Sequence, residues 1–399
     1  MSIKQYDVII VGAGPAGLML AKFLNNTEHN VLLMEKRGTT RELANHRYGT
    51  FKRIIEEYNL GAYEITNYKK FSFVYLDEAK TSFVFPDGLS VIDMNLFAKD
   101  LKLKCDIQVN TQVTSIYRKD ELIELKTAET LYQTKIIVDC SGEAKVVAKA
   151  LGYNAKKPID FYSTSLELTN CDITQVDEMK FMGDLEHSNS AFWFYPYSKT
   201  EAQIGQTEWF DSYPDKEKQL QKLKDFISST EPYKTWLKDA KIEEKVFGIG
   251  PASTLNDKIV ANNFISCGNA AGAGTPFIGE GFRVSLDMAK YAHETIIQAF
   301  ATQDFSEKSL HPFKDKFDKE YGEYYIWSTI LRTMTLKVIS KTNYITIIKN
   351  IRKLDDKEAF EFFASKITPK MFIKVLDPKL AISIMKDIIR YYLFGKKVQ

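Results

Sequence analysis

The strongest constraint on this chain lies in residues 6–37, which read Tyr-Asp-Val-Ile-Ile-Val-Gly-Ala-Gly-Pro-Ala-Gly and run on to Leu-Leu-Met-Glu-Lys-Arg. Residues 8–11 are a β-branched run of the kind a buried parallel strand needs. Gly12, Gly14 and Gly17 follow in G-x-G-x-x-G spacing, with Pro15 and Ala16 between the last two. The pattern then predicts a helix over Leu18, Leu20, Ala21 and Leu24, and a second strand over residues 31–34 that ends on Glu35. An acid about 20 residues past the glycines is where a dinucleotide-binding unit holds its ribose. Strand, glycines, helix, strand and acid in register are far more specific than three glycines alone.

Each position has a mechanical reason. Gly12 permits the tight turn out of the strand, Gly14 lets a pyrophosphate approach the backbone, and Gly17 lets helix and strand pack closely. The helix start offers free N–H groups and the positive end of its dipole to the phosphates. A carboxylate at Glu35 accepts from ribose hydroxyls and disfavours a 2′-phosphate. The unit leaves open whether the dinucleotide is FAD or NAD. Lys36 opens a polar loop that reaches Tyr48 and holds Arg37, Arg41, His46 and Arg47. A phosphate or ring contact is expected from Arg41 or Arg47, against the alternative of a solvated loop.

With 399 residues, 44% of them apolar and 27% charged, the chain can bury a large core and has the composition of a soluble globular protein. Its 54 basic and 52 acidic residues leave a net charge of +2, which gives no electrostatic case for nucleic acid. Cys105, Cys140, Cys171 and Cys267 are widely spaced, and the five histidines are scattered, so neither a redox dithiol motif nor a metal site is expected. Asp7 and the glycines argue against reading the N-terminus as a signal peptide. No apolar run approaches transmembrane length. The expected compartment is the cytoplasm, with a peripheral membrane contact left open.

Further along, residues 71–75 and 81–85 read as a hairpin, and strands are expected at 107–113, 122–126 and 135–138. The last ends at Asp139-Cys140-Ser141-Gly142 before a helix over 144–151, a second place where backbone and carboxylate can meet a cofactor. Residues 161–210 are rich in aromatics, above all Phe192-Trp193-Phe194-Tyr195-Pro196-Tyr197, and are expected to form an antiparallel sheet. Such aromatics either fill a core or wall an apolar cavity.

A strand at 264–267 leads into Gly268-Asn269-Ala270-Ala271-Gly272-Ala273-Gly274-Thr275-Pro276-Phe277-Ile278-Gly279-Glu280-Gly281 and a helix to about residue 300. So many small residues imply close approach by a ligand or backbone. Asn269 is placed to bond a ribityl hydroxyl, and Gly279 and Gly281 to present N–H groups to a flavin ring. The last hundred residues are expected to be helical. Tyr324, Trp327, Leu331, Met334 and Val338 share one face. A second stripe, Leu380, Ala381, Ile384, Met385, Ile388, Ile389, Tyr392 and Leu393, lies opposite Lys386, Asp387 and Arg390 and is expected to pack on the body or a partner, with membrane contact as the alternative.

With these motifs in place the chain resembles the FAD-dependent oxidoreductases with a p-hydroxybenzoate-hydroxylase-like fold, and within them it is most similar to the geranylgeranyl reductase family. The N-terminal unit matches, Asp139–Gly142 sits where the family has its Asp-Gly segment, and 268–281 matches Gly-Asp-Ala-Ala-Gly…Pro…Gly-x-Gly. Residues 191–196 are similar to the family's cavity motif Tyr-x-Trp-x-Phe-Pro through Trp193 and Pro196, and no better matched to the Trp-x-Trp-x-Ile-Pro of flavin-dependent halogenases. Asn269 stands in place of Asp, Met94 in place of a frequent Arg, Ala191 and Tyr195 in place of Tyr and Phe, and the family's early cysteine-containing loop motif is absent from 37–51.

The resemblance implies an α/β fold: a Rossmann-like FAD-binding domain with a parallel sheet (1–62, 93–160 and 246–302), an inserted antiparallel β-rich substrate domain (63–92 and 161–245), and a helical C-terminal region (303–399). It implies FAD held by Gly12, Gly14, Pro15, Ala16, Gly17, Glu35, Lys36, Arg41, Asp139, Gly142, Gly268, Asn269, Pro276, Gly279 and Gly281. An apolar or lipid substrate would lie against Phe192, Trp193, Tyr195 and Pro196, with Tyr195 and Cys140 as candidate proton donors. The expected reaction is reduction of isoprenoid double bonds, with electrons from NAD(P)H or a carrier protein, since no second G-x-G-x-x-G marks a nicotinamide domain. An aromatic monooxygenase or halogenase, and a redox-neutral cyclase of the lycopene cyclase kind, are the alternatives.

Overall fold

The computed structural model describes residues 3–38, 47–75, 79–102, 104–153, 160–184, 191–210, 215–251, 255–334 and 338–394. In chain order its strands are β1 (Ile3–Val11), β2 (Val31–Met34), β3 (Arg47–Phe51), β4 (Glu64–Tyr75), β5 (Ala79–Asp93), β6 (Ile107–Gln108), β7 (Ser115–Lys119), β8 (Leu122–Lys126) and β9 (Leu131–Asp139). They continue as β10 (Asp160–Thr169), β11 (Glu178–Gly183), β12 (Ala191–Pro196), β13 (Ala202–Phe210), β14 (Lys241–Pro251), β15 (Val260–Ala261) and β16 (Phe264–Ser266).

The first sheet has the order β15-β16-β9-β1-β2-β6, parallel from β16 to β6, with the hairpin β7–β8 attached to the first half of β9. The run at 8–11 is apolar at every position because both faces are covered. Val8 and Ile10 face a core with Leu18, Leu20 and Ala21 of helix Pro15–Leu24 and Ala289, Ala292 and Ile296 of helix Phe282–Thr302. Ile9 and Val11 face Val147, Ala148, Ile116 and Ile123 on the other side.

The second sheet runs β14-β10-β13-β12-β11-β4-β5-β3. The expected hairpin exists and is longer than its apolar centre, with Phe71 opposite Phe83. One joint differs from the expected antiparallel sheet: β11 and β4 are parallel, because each is the first strand of its own hairpin pair and the two meet edge to edge in the same direction. β3 joins this sheet through β5, and β14 pairs with β10 from end to end, so the sheet reaches past the boundaries expected at 62 and 246. One face is closed by helices Lys216–Ser229 and Tyr233–Trp236, which bury Leu220, Leu223 and Phe226 against Phe192, Phe194 and Ile204. The other face looks toward the first sheet and the C-terminal helices.

Several of those helices are individually capped. Ser340, Asp355 and Thr368 each accept from an N–H in the first turn, Asp355 in a reciprocal pair with Glu358, and Pro369 and Pro378 open the last two helices. Arg283, 2% exposed, ties them to the glycine-rich loop: it bonds Glu280 at 3.2 Å, the Tyr321 hydroxyl at 2.7 Å and the Ala364 carbonyl at 2.6 Å. Tyr324, Trp327, Leu331, Met334 and Val338 are buried or half-buried as expected. The second stripe divides: Leu380 and Ile384 are buried, whereas Met385, Ile389, Tyr392 and Leu393 are exposed. Asp387 lies on the packed side, not opposite it, because its carboxylate accepts from Ser340 N at 2.8 Å and Asn343 Nδ2 at 2.6 Å.

Candidate active site

A cavity of about 420 Å³ separates the two sheets. Gly14, Pro15, Ala16, Cys140 and Gly142 border one end, Asn269 and residues 277–282 the middle, and aromatic side chains of the second sheet and of Phe363 the other end.

At the first end the glycines have different functions. Gly12 has φ +107°, and a Cβ there would overlap the Cys140 backbone. A Cβ at Gly17 would overlap the Gly12 carbonyl. These two hold strand, turn and helix together. At Gly14 and Gly142 an added Cβ meets no protein atom within 4 Å, so both are open toward the cavity they line. Backbone opened beside the start of helix Pro15–Leu24 is a cradle for a diphosphate. The residues present therefore fit a dinucleotide.

Glu35 is 5% exposed and accepts from Ala13 N at 2.8 Å, Arg37 N at 3.0 Å and Arg37 Nε at 2.9 Å. Burial would raise its carboxyl, but the Arg37 guanidinium and these N–H groups outweigh burial and hold it below the usual range. Lys36 beside it is exposed, and Arg41 and His46 lie outside the described residues. Arg47 borders the cavity, but its guanidinium bonds Glu167 at 3.1 Å and lies 4.9 Å from the Tyr197 ring centre.

The Asp139 carboxylate does not meet the cavity, contrary to expectation. Ser141 N and Oγ bind one oxygen, and Val147 N and Ala148 N bind the other at 3.0 and 2.9 Å. Asp139 thus caps the start of helix Val146–Ala150, and burial raises its carboxyl. Only its neighbours Cys140 and Gly142 reach the cavity.

In the glycine-rich loop, Asn269, Gly279 and Gly281 border the cavity, and buried Pro276 does not. The Gly279 N–H donates to the Thr275 carbonyl at 2.9 Å, so it is engaged within the loop rather than offered to a ring. Thr275 N bonds Glu280 O at 3.0 Å, and Arg283 fixes the Glu280 side chain. Gly268, with φ +63°, packs against Ala16 and Ser285 and joins this loop to the first glycine turn.

Strand alternation sorts the aromatic motif into two faces. Trp193 and Tyr195 point into the cavity. Phe192 borders it, but its ring stacks on Phe226 at 3.8 Å on the far side of the sheet, and Pro196 offers its carbonyl to Tyr68 at 2.9 Å. The Trp193 indole lies across Gly205, its cross-strand partner, and donates to Gln203 Oε1 at 2.8 Å. Gln203 Nε2 donates to Glu167 at 2.6 Å. Tyr195 lies over Gly49, where a Cβ would come within 2.8 Å of its hydroxyl. Burial, then Tyr68 and Glu280 nearby, push the Tyr195 phenol well above its usual range. The adjacent Cys267 thiol, then burial, push the Cys140 thiol up. Both stay protonated at neutral pH. They do not share a place: Cys140 packs beside Gly12 and Gly17, Tyr195 at the aromatic end.

Several lining residues carried no signal in the sequence. Phe71, Phe73, Phe85 and Phe363 look like ordinary core residues until the strands are paired. Arg332 also lines the cavity, 3% exposed, with its guanidinium 5.1 Å from the Trp209 ring centre and lowered by burial to about 10. Among the described residues no group of His, Cys, Asp or Glu could hold a metal ion.

The parallel sheet with its dinucleotide cradle, the second sheet and the cavity between them give the chain the fold of the FAD-dependent oxidoreductases of p-hydroxybenzoate-hydroxylase-like type. The model of the lycopene cyclase protein family matches residues 7–386, so the chain belongs to that family. It is 24% identical to digeranylgeranylglycerophospholipid reductase 3 of Methanosphaera stadtmanae over 94% of this chain and 99% of that one. A geranylgeranyl bacteriochlorophyll reductase-like protein from Thermoplasma acidophilum superposes with a TM-score of 0.83 at 15% identity, covering 97% of this chain and 100% of its own. A triple mutant of the flavin-dependent brominase Bmp2 gives 0.68 at 17% identity, covering 97% of this chain and 100% of its own.

Proposed function

We propose that this flavoenzyme reduces carbon–carbon double bonds in an isoprenoid chain of geranylgeranyl type. The observation that carries the reading is the composition of the cavity, which joins a glycine cradle to a wall of Phe71, Phe73, Phe85, Phe181, Trp193 and Phe363. A long apolar chain suits such a wall. The 24% identical reductase of Methanosphaera, matched along nearly its whole length, supports the same reading.

Bound and reduced, FAD supplies the hydride that an alkene carbon must receive. The chain's own residues supply the rest. Gly14, Gly142 and the helix start beyond them would hold the diphosphate, Glu35 the ribose, and Asn269 the ribityl chain. Trp193, fixed by Gln203 and Gly205, and Phe363 would orient the isoprenoid and keep water out. Tyr195, protonated and facing the cavity, is the proton-holding group at the substrate end; Cys140, at the diphosphate end, is placed to pack and not to donate. Electrons would come from an external donor, NAD(P)H or a carrier protein.

The test is anaerobic: reduce the protein, add a geranylgeranyl lipid, and follow product mass together with the flavin spectrum. Gain of hydrogen pairs coupled to return of the oxidised spectrum is the expected result. Membership of the lycopene cyclase family favours a second reading, redox-neutral cyclisation, which would give a product of unchanged mass with the flavin still reduced. An untouched lipid, with the flavin oxidised only when oxygen enters, would overturn both.

A further inference from the structure

The exposed apolar residues are not scattered over the molecule. Of thirteen large hydrophobic residues exposed among the described residues, eight lie between Ile326 and Leu393, and five of those are on one helix, Pro378–Phe394. They are Ile382, Met385, Ile389, Tyr392 and Leu393, with exposures of 62, 55, 50, 80 and 70%. Their spacing by three and four places them along one face.

The charges of this helix are equally sorted. Lys379, Lys386 and Arg390 are exposed, and the one acid in the helix, Asp387, is turned inward onto Ser340 and Asn343. The exposed side therefore combines apolar side chains with cations and presents no carboxylate. Two copies of such a face meeting about a two-fold axis would bring the cations together with nothing on the helix to pair them. An anionic lipid surface pairs them and accepts the apolar side chains at the same time. No described helix is long and apolar enough to cross a membrane, so this one would lie in the plane of the surface.

We propose that this face of helix Pro378–Phe394 docks the protein on an anionic phospholipid surface. The Asp387 contacts join the docked helix to helix Lys341–Ile351, whose Tyr344 lines the cavity, so the surface and the cavity are one helix apart. The proposal does not depend on which reaction the cavity performs.

Sedimentation of the flavin-loaded protein with vesicles of phosphatidylcholine alone, or of phosphatidylcholine with phosphatidylglycerol, tests it. Binding to the anionic vesicles alone is expected, weakened by salt. Each cation near such a surface is worth about fivefold in partitioning, so Lys386→Gln with Arg390→Gln should weaken binding about 25-fold. Met385→Asp with Ile389→Asp should abolish it. Both pairs change exposed side chains, and unchanged flavin absorbance and melting temperature establish that the variants are folded. No binding to either vesicle, equal binding to both, wild-type binding by either pair, or a wild-type dimer in the absence of lipid that Met385→Asp with Ile389→Asp converts to monomer would overturn the proposal.

Discussion

Gly14 lines the cavity and Gly205 lies under Trp193, which lines it, and a Cβ at each has opposite consequences. At Gly14 it meets no protein atom within 4 Å; at Gly205 it overlaps the Trp193 indole. The first glycine leaves room on the cavity side, and the second leaves room for a side chain that itself faces the cavity. The dinucleotide end offers backbone, which requires glycines at fixed spacing beside a helix start. The aromatic end offers side chains brought from β4, β5, β11, β12 and a C-terminal helix, each of which need only be large and apolar. One end is a local structure, the other a product of strand pairing.

The sharpest way to break this comparison is at the glycine turn. Gly12→Ala puts a Cβ into the Cys140 backbone at a φ of +107°, and strain and overlap together should cost about 3–6 kcal/mol, read as loss of soluble protein or a large fall in melting temperature. Gly14→Asp, two residues away, should fold and be colourless, because its side chain and charge take the place of the diphosphate. A yellow Gly14→Asp protein would falsify the assignment of this end to FAD.

A second pair of variants applies the comparison within one strand. Phe192 is fully buried against Phe226, so Phe192→Ala should cost about 3–5 kcal/mol in denaturant unfolding while the folded holoenzyme keeps its turnover. Its neighbour Trp193 faces the cavity, so Trp193→Ala should lower kcat/KM at least about tenfold with a smaller loss of stability. Gly205→Ala tests the seat of the indole: overpacking of about 1–3 kcal/mol and a partial loss of turnover, with flavin retained. If Phe192→Ala proved the more damaging to turnover, the two faces of β12 would have to be exchanged.

Legibility in the sequence follows the same division. The turn at 12–17, the strand ending on Glu35 and the loop at 268–281 were readable because backbone contact restricts residue type. The carboxylate of Asp139 misleads for the same reason that it is conspicuous: an acid after a strand serves a ligand or caps the next helix, and only the position of Val147 N and Ala148 N decides. Gly279 was readable as a glycine, but the Thr275 carbonyl that takes its N–H was not. Trp193 and Tyr195 were visible as a cluster, yet the faces they occupy depend on β12 pairing with β13 in a register that sets Trp193 opposite Gly205. Arg332 and Phe363 enter the cavity from about 130 residues or more beyond that strand, a relation that periodicity cannot express. The last helix was readable as two-sided, but which side is packed turns on Asp387, whose partners are on another helix.

Glu35 offers the finest distinction at the dinucleotide end, between a residue that binds and one that braces. Its carboxylate joins the Ala13 N–H of the glycine turn to Arg37 of the following loop, whatever it offers a ribose. Glu35→Gln keeps the shape, removes the charge and presents an amide N–H to donors. Because the Arg37 side chain is 36% exposed and screened, the loss of stability in the cofactor-free protein should be about 1 kcal/mol. The pH dependence separates the two functions. The folded carboxyl titrates below the unfolded one, so its contribution is fully present above the unfolded value of about 4.3 and disappears as pH falls through the folded value. Melting of the cofactor-free wild type and Glu35→Gln should therefore differ at pH 7 and converge in acid. A difference that stays constant down through that range would mean that the carboxylate does not brace the turn, and that its only function is toward the ligand.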